Sequence, residues 1–151
     1  MTTIVPHIGI RISGIQSLEV AKVTIKNGGS IAFIFDQENP KYIDPAKANK
    51  ISETISKNVR TCGIFVDPSD EEITQCLNEI DLDCIQLNGN ESKDRVEFIK
   101  IWFSYYPLET HLEPDQKLPL RYKKARKVKR EIIKAISITT KKNLDKISIY
   151  E

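Results

Sequence analysis

The stretch NGGSIAFIFDQENPKYIDPAKANK, residues 27–50, contains a complete strand, loop and helix start and shows how the chain is built. Its two glycines are placed to end a preceding helix, and residues 30–35 form a short apolar run typical of a buried strand. Asp44 followed by Pro45 is an N-cap with proline at the first helical position. The stretch therefore predicts a strand, a polar loop and a helix that continues to about residue 57.

The alternation of short apolar runs with helical segments recurs along the chain. Five runs rich in β-branched residues predict strands, namely Ile8–Ile12, Ser30–Phe35, Arg60–Val66, Cys84–Leu87 and Ile132–Ile138. Helical segments follow the first four runs, and Ser69 with Glu72 forms a capping box at the start of the third. The first four runs are apolar along their length, as expected when both faces of a parallel sheet are covered. The pattern therefore predicts a parallel βα architecture.

The number of predicted strands falls short of a closed barrel. A (β/α)8 TIM barrel has eight parallel strands in about 250 residues, and in at least about 200, whereas this sequence has 151 residues. We expect an α/β fold, a partial TIM (β/α)8 barrel of about five parallel βα units. Residues 1–151 are predicted to form one domain. Residues 104–130, with three prolines and a basic run, are predicted to be an irregular insertion before strand five.

The composition excludes several classes of protein. Hydrophobic residues make up 40% and charged residues 29% of the chain, which is typical of a globular protein rather than a disordered one. An apolar run of about 18 residues and a basic leader are both lacking, so no membrane span is predicted and a cytoplasmic location is expected. Cys62, Cys76 and Cys84 lack the spacing of metal ligands, which predicts small buried thiols without a metal or cofactor.

The positive charge of the chain is concentrated in one place. Residues 121–130, RYKKARKVKR, hold seven of the 23 basic residues and no acidic one. Tyr105, Tyr106 and Tyr122 lie close by in sequence and offer rings that stack on bases. No recognised nucleic-acid motif accompanies them, however, and charge runs are usually solvated. Nucleic acid is therefore not the expected partner, although the basic run remains a candidate contact surface.

Short motifs stand at the ends of the first four predicted strands, where parallel barrels place their chemistry. They are RISGI (11–15), FIF followed by NPKYI (33–43), GIFVD (63–67) and IQLNG (85–89). This series resembles phosphoribosylanthranilate isomerase of tryptophan biosynthesis. The pattern of that family is Lys-Ile-Cys-Gly-Ile, then Gly-Phe-x-Phe with Ser-Pro-Arg-Tyr-Ile, then Gly-Val-Phe-Val-Asn and Gln-Leu-His-Gly. IIKAI (132–136) is similar to the family's fifth strand.

The resemblance implies an Amadori rearrangement of phosphoribosylanthranilate, in which a general acid protonates the ribose ring oxygen and a general base removes the C2 proton. The family's base is the cysteine of its first motif, and Ser13 stands in that place. A thiol is readily tuned into a thiolate base, but a serine hydroxyl needs a neighbouring base to activate it. His7 precedes strand one and His111 lies in the predicted insertion, so neither is a credible partner. Ser13 also suits a tight turn before Gly14 simply because it is small.

Two further positions depart from the family pattern. Lys41 replaces the arginine thought to meet the anthranilate carboxylate, so the charge is kept but the bidentate fork is lost. Asn88 replaces the histidine of Gln-Leu-His-Gly, which keeps hydrogen bonding but removes a titratable group. Both residues are expected to face the substrate or to remain as polar residues on a former active-site face.

The rest of the family's machinery corresponds to sequence beyond Glu151. This includes the aspartate general acid after strand six and the glycine-rich loops that hold the substrate phosphate. Loss of a positioned acid or base costs about 10²- to 10⁴-fold in rate. We therefore expect a truncated homologue without isomerase activity.

The alternative is a non-enzymatic binding or assembly module that uses the partial barrel and the 121–130 loop. An open sheet also predicts self-association or pairing with a complementing C-terminal fragment.

Overall fold

The computed structural model describes residues 9–104, 106, 129–141 and 145–150. Strands and helices alternate along the described chain. The strands are β1 (Arg11–Ser13), β2 (Ser30–Ile34), β3 (Thr61–Phe65), β4 (Cys84–Leu87) and β5 (Glu131–Lys134). The helices are α1 (Leu18–Lys26), α2 (Pro45–Thr54), α3 (Asp70–Glu79), α4 (Lys93–Phe103) and α5 (Asp145–Ser148).

The five strands form one parallel sheet in the order β1-β2-β3-β4-β5. Each strand lies beside the next in sequence, with a helix in the connection between neighbours from β1 to β5. Neighbouring strands of a parallel βα barrel follow one another in the same order. The predicted α/β fold, a partial barrel of five parallel units, is confirmed.

β4 has its predicted bounds and β2 and β3 differ from theirs by one residue at one or both ends, whereas β1 and β5 differ more. β1 covers Arg11–Ser13 rather than residues 8–12, because its pairing with β2 extends to Ala32 and stops at the turn formed by Gly14. β5 covers Glu131–Lys134 and ends before most of the predicted run of 132–138. The amide of Ala135 still donates to the carbonyl of Leu87 at 2.9 Å, after which the ladder ends.

The alternation of side chains gives the sheet two different faces. One face packs against the helices and contains Ile31, Phe33, Phe65 and Ile85, together with buried residues of α2, α3 and α4. The opposite face carries a small cluster that includes no helical residue, formed by Ala32, Cys62, Ile64 and Cys84 with Ile34 and Ile133. We call this second face the inner face, since it corresponds to the side that faces the axis of a barrel.

The helix starts follow the predicted capping residues. Ser69 accepts a hydrogen bond from the Glu72 amide at 3.1 Å, and the Glu72 carboxylate accepts one from the Ser69 amide at 2.7 Å, so the capping box is confirmed. Asp44 caps α2 with Pro45 in its first turn, as predicted. That helix ends at Thr54, short of residue 57, because Ile55 turns into an extended conformation and packs into the core.

The predicted insertion falls mostly on residues 105 and 107–128, outside the described part of the chain, and stays a prediction. Its two ends meet, since the Arg130 amide donates to the Ser104 carbonyl at 2.7 Å. All three cysteines are free and buried, as predicted. Among the described residues no helix is long and apolar enough to cross a membrane. The same residues contain no group of three or more His, Cys, Asp or Glu side chains suited to a metal ion.

Candidate active site

The Lys41 side chain lies over Gly14, the residue that follows Ser13 at the carboxyl end of β1. The strand stops at Ser13 because the amides of Gly14 and Ile15 both turn to the carbonyl of Ala32, at 3.0 and 3.2 Å. Gly14 has a φ of +78°, and a Cβ atom there would lie 2.7 Å from Cδ of Lys41. The Lys41 side chain therefore crosses directly over the glycine that follows Ser13, which glycine alone permits.

The loop that carries Lys41 is held on both sides. The Asn39 side chain accepts a hydrogen bond from the Lys41 amide at 2.9 Å. The amide of Ile43 donates to the Ile34 carbonyl at 3.0 Å, which ties the end of the loop to β2. Gln16 donates from its side chain to the carbonyl of Tyr42 at 3.1 Å, linking this loop to the one after β1. The Lys41 side chain remains exposed, so its charge is available at this edge.

The Ser13 hydroxyl has no activating partner in the described part of the chain. Ser13 is exposed, and its side chain makes no hydrogen bond to any described carboxylate, imidazole or thiol. A serine hydroxyl acts as a base or nucleophile only when a neighbouring group takes its proton. Ser13 therefore ends β1 without a described group that could take its proton, and its role as a site residue stays a prediction.

Two consecutive hydrogen bonds between polar side chains on the inner face connect Asn88 to β1. Arg11 donates to the Gln86 side-chain oxygen, and the Gln86 amide donates to Oδ1 of Asn88 at 2.9 Å. Strands lie about 4.8 Å apart, so a direct contact between β1 and β4 requires a strongly curled sheet. Because Oδ1 of Asn88 accepts from Gln86, the exposed side-chain NH2 group is left to donate outwards.

Behind this edge lies a buried ion pair between Glu91 and Lys134. The Lys134 Nζ is 2.9 Å from Glu91 Oε2 and also donates to the carbonyl of Gly89 at 2.6 Å. Glu91 Oε1 accepts from the Asp67 amide at 2.8 Å. Burial raises the pKa of the Glu91 carboxyl, but the hydrogen bonds from Lys134 and from backbone amides, including that of Asp67, outweigh it and the pKa lies below its ordinary value. Glu91 is therefore an ionised anchor for the loops after β3 and β4.

The same two loops touch through Asp67 and Gly89. Asp67 has a φ of +44°, an uncommon conformation for a residue with a side chain, and its carboxylate accepts from the Asn90 amide at 2.7 Å. A Cβ atom on Gly89 would lie 2.5 Å from the backbone nitrogen of Asp67. Only glycine fits at this approach, so Gly89 serves the packing of the two loops.

Four polar residues of this region were not predicted as part of the site. They are Arg11, Gln86, Glu91 and Lys134. Arg11 and Gln86 stand inside quoted motifs, and their alternation with apolar residues indicates the inner face. Lys134 interrupts the apolar run of the fifth strand, and an isolated charge in a buried strand signals a buried partner. The sequence does not reveal that this partner is Glu91.

The prediction that the basic run is solvated is wrong at Arg130. This last residue of the run is fully buried. Its guanidinium donates to the carbonyls of Leu82 and Phe103, both at 2.6 Å, and to Asp81 at 3.2 Å. Arg130 is therefore part of the core and not of a contact surface. Lys129 is exposed, and residues 121–128 lie outside the described part of the chain.

The fold and the placement of these side chains define a parallel βα-barrel protein with its candidate site at the carboxyl ends of the strands. The sequence model of the N-(5'-phosphoribosyl)anthranilate isomerase family matches residues 10–145. The chain belongs to this family, which acts in tryptophan biosynthesis. The similarity implied by the strand-end motifs is thereby confirmed.

Several relatives are similar over part of their length. The N-(5'-phosphoribosyl)anthranilate isomerase of Hahella chejuensis is 38% identical over 95 residues, which cover 62% of this chain and 45% of the relative. The enzyme of Zymomonas mobilis is 31% identical over 119 residues, covering 74% of this chain and 56% of the relative. The chain thus spans about half the length of the curated relatives it matches.

Solved structures show the same fold. Phosphoribosylanthranilate isomerase from Thermotoga maritima superposes with a TM-score of 0.70 at 21% identity, covering 92% of this chain and 55% of that one. The enzyme from Thermus thermophilus gives a TM-score of 0.60 at 27% identity, covering 68% and 53%. The five-stranded sheet therefore corresponds to part of a phosphoribosylanthranilate isomerase fold.

Proposed function

We propose that this chain forms the first five βα units of a phosphoribosylanthranilate isomerase-type barrel and that, as a separate polypeptide, it does not catalyse the isomerisation. The proposal rests on Ser13. This residue occupies the place of the family's cysteine base, at the exposed end of β1, and its hydroxyl has no base beside it among the described residues. Without a proton acceptor at this position, the C2 proton of the substrate is not removed.

The rest of the edge supports an ancestral role in substrate binding. Lys41, whose side chain lies over Gly14, is an exposed cation at the turn that follows Ser13. Asn88, oriented through Gln86, offers hydrogen-bond donors at the end of β4. A lysine contacts a carboxylate as a point charge rather than through two parallel hydrogen bonds. In this proposal both residues face the anthranilate and ribose side of phosphoribosylanthranilate in a complete barrel.

Association is part of the same proposal. In the described sheet β1 pairs only with β2 and β5 only with β4, which leaves backbone groups for further pairing. Ile10 and Ile12 are 59% and 43% exposed beside one of these edges. The chain is therefore proposed to self-associate or to pair with a fragment that supplies further strands. Light scattering on the purified chain tests this, and a stable monomer at high concentration would argue against self-association.

A turnover assay tests the proposed lack of activity. The decay of substrate fluorescence is followed with the purified 151-residue chain, and the full-length N-(5'-phosphoribosyl)anthranilate isomerase of Hahella chejuensis serves as positive control. We expect a rate no higher than that of substrate alone. Turnover that disappears in Ser13→Ala would show that the hydroxyl is catalytic and would overturn the proposal, whereas turnover unchanged in that variant would point to a contaminating enzyme.

A further inference from the structure

Cys62 and Cys84 lie side by side on the inner face of the sheet, and the site described above uses neither. They are register partners on β3 and β4. Both belong to the small apolar cluster of the inner face. Neighbouring strands are about 4.8 Å apart, within the range of about 4.4–6.8 Å over which a disulfide bridges Cα atoms. The pair therefore meets the first geometric condition for a disulfide.

The two sulfur atoms differ in chemical character. The Cys62 thiol donates to the backbone carbonyl of Gly63 at 3.8 Å. The interaction of the two neighbouring thiols lowers the pKa of the Cys84 thiol, although burial opposes the shift. The same interaction, together with burial, raises the pKa of the Cys62 thiol. The carboxylate of Glu131 disfavours a thiolate at Cys84, whereas the guanidinium groups of Arg11 and Arg60 favour it. Cys84 is therefore the better nucleophile, and Cys62 keeps its proton.

A polar cavity leads to this pair. Both cysteines line a cavity of about 380 Å³ that Ser13, Arg11, Arg60 and Glu131 also line. Cys62 is 2% exposed and Cys84 is 3% exposed, so only a small reagent reaches them. Cys76 is equally buried but lies on α3, in the core between the sheet and the helices. Cys76 is therefore an internal control, because it is as buried as the pair but has no cysteine beside it on a neighbouring strand.

We propose that Cys62 and Cys84 form a redox-active dithiol that hydrogen peroxide converts into a disulfide, with Cys84 as the attacking sulfur and Cys62 as the resolving one. The Cys84 thiolate attacks one peroxide oxygen, the O–O bond breaks, and the hydroxide that leaves takes up a proton to become water. Cys84 is then a sulfenic acid. Cys62 loses its proton and attacks the Cys84 sulfur, the S–O bond breaks, and a second water leaves. Two thiols and one peroxide thus give one disulfide and two waters.

The position of the pair in the sheet predicts that this disulfide is easily reduced. Cβ atoms of a disulfide lie about 3.8 Å apart, closer than the strand spacing between register partners. β3 and β4 must therefore approach each other locally when the bond forms. A disulfide formed against such a constraint has a higher reduction potential than a relaxed structural one. A dithiol reagent is expected to restore both thiols.

Peptide mapping by mass spectrometry tests the proposal. The fully reduced chain is treated with hydrogen peroxide, free thiols are alkylated, and the digested peptides are identified. We expect the loss of two hydrogens and a linkage between the peptides that carry Cys62 and Cys84, with Cys76 alkylated. Oxidation of Cys76 at the same rate as the pair would overturn the proposal, and so would oxidation to sulfinic acid without a linkage.

Three variants assign the roles of the sulfurs. Cys76→Ser should form the linkage as the original chain does. Cys62→Ser should leave Cys84 as a sulfenic acid that a 1,3-dione probe traps, whereas Cys84→Ser should give little trapping at Cys62. Trapping at Cys62 that equals trapping at Cys84 would contradict the assigned roles. Circular dichroism checks that each variant is folded, and the linkage map of the unsubstituted chain decides the proposal if a variant is not.

Discussion

Lys134 and Glu91 form an ion pair in which both charges are withdrawn from water. The Nζ and Oε2 atoms are 2.9 Å apart, and the two side chains are 9% and 1% exposed. Lys134 lies on β5, while Glu91 lies in the loop after β4 and also binds the Asp67 amide of the loop after β3. One pair thus connects three consecutive units of the barrel at the edge that carries the candidate site.

Removing the lysine of this pair should be costly. Lys134→Met leaves the Glu91 carboxylate buried without a counter-ion, so we expect the free energy of unfolding to fall by about 3–5 kcal/mol. The matched control is Arg60→Met, which breaks the exposed ion pair between Arg60 and Glu131 and should cost no more than about 1 kcal/mol. Urea unfolding of both variants measures the difference. Equal losses would show that burial of the Glu91 pair has no energetic consequence.

The same pair predicts a dependence of stability on pH. The pKa of Glu91 is lower in the folded chain than its ordinary value, because hydrogen bonds from Lys134 and backbone amides outweigh the effect of burial. The stabilisation is therefore fully present above the unfolded-state pKa and is lost as the pH falls through the folded-state pKa. Glu91→Gln should be less stable than the original chain at neutral pH, and the difference should shrink in acid. Urea midpoints measured down the acid range test this, and a constant difference would contradict it.

The contact between the loops after β3 and β4 requires a glycine. Gly89→Ala places a Cβ atom 2.5 Å from the Asp67 backbone nitrogen, a distance that forces the two loops apart. We expect a loss of about 1–3 kcal/mol in the free energy of unfolding. Gly9→Ala, where no atom lies within 4 Å of the added methyl group, should change little. Thermal unfolding of the two variants compares them, and a neutral Gly89→Ala would mean that the loops do not make this contact in solution.

Arg130 should behave as a core residue rather than as part of a basic surface. Arg130→Met removes the donors to the carbonyls of Leu82 and Phe103 and is expected to destabilise the chain by several kcal/mol, at about 1–3 kcal/mol for each buried group left unsatisfied. Lys129→Met, an exposed neighbour, should stay within about 0.5 kcal/mol. Denaturant unfolding separates the two outcomes. An Arg130→Met variant as stable as the original chain would show that Arg130 is solvated and makes no contribution to the core.

Much of the fold could be predicted because local signals agree with it. The third helix begins at Ser69 and its capping box, as its sequence indicates. Each of the five predicted runs also contains a strand, with bounds that match at β4, differ by one residue at one or both ends in β2 and β3, and differ more in β1 and β5. The bounds of β1 depend on where the Ala32 carbonyl is available for pairing, which is a tertiary property that the run 8–12 does not carry.

The site could be predicted only in part. Ser13, Lys41 and Asn88 were predicted because they stand in motifs whose order is informative, and their roles stay predictions. Ser13 ends β1, Asn88 follows β4, and Lys41 lies in the loop after β2. The Arg11–Gln86 contact depends on the curl of the sheet, and the Glu91–Lys134 pair joins residues 43 positions apart. Arg130 was assigned to a solvated surface because six other basic residues surround it in sequence, whereas burial is decided by the carbonyls around it in space.

In the proposed function, Ser13 leaves this barrel without the general base that the family's cysteine supplies. The most direct measurement is the isomerase rate of the chain joined to strands six to eight of the Hahella chejuensis relative, with either serine or cysteine at position 13 and folding confirmed by circular dichroism. We predict that Ser13→Cys raises the rate by about 10²- to 10⁴-fold, the usual contribution of a positioned acid or base. Equal rates for the two proteins at a level well above the uncatalysed reaction would contradict the account.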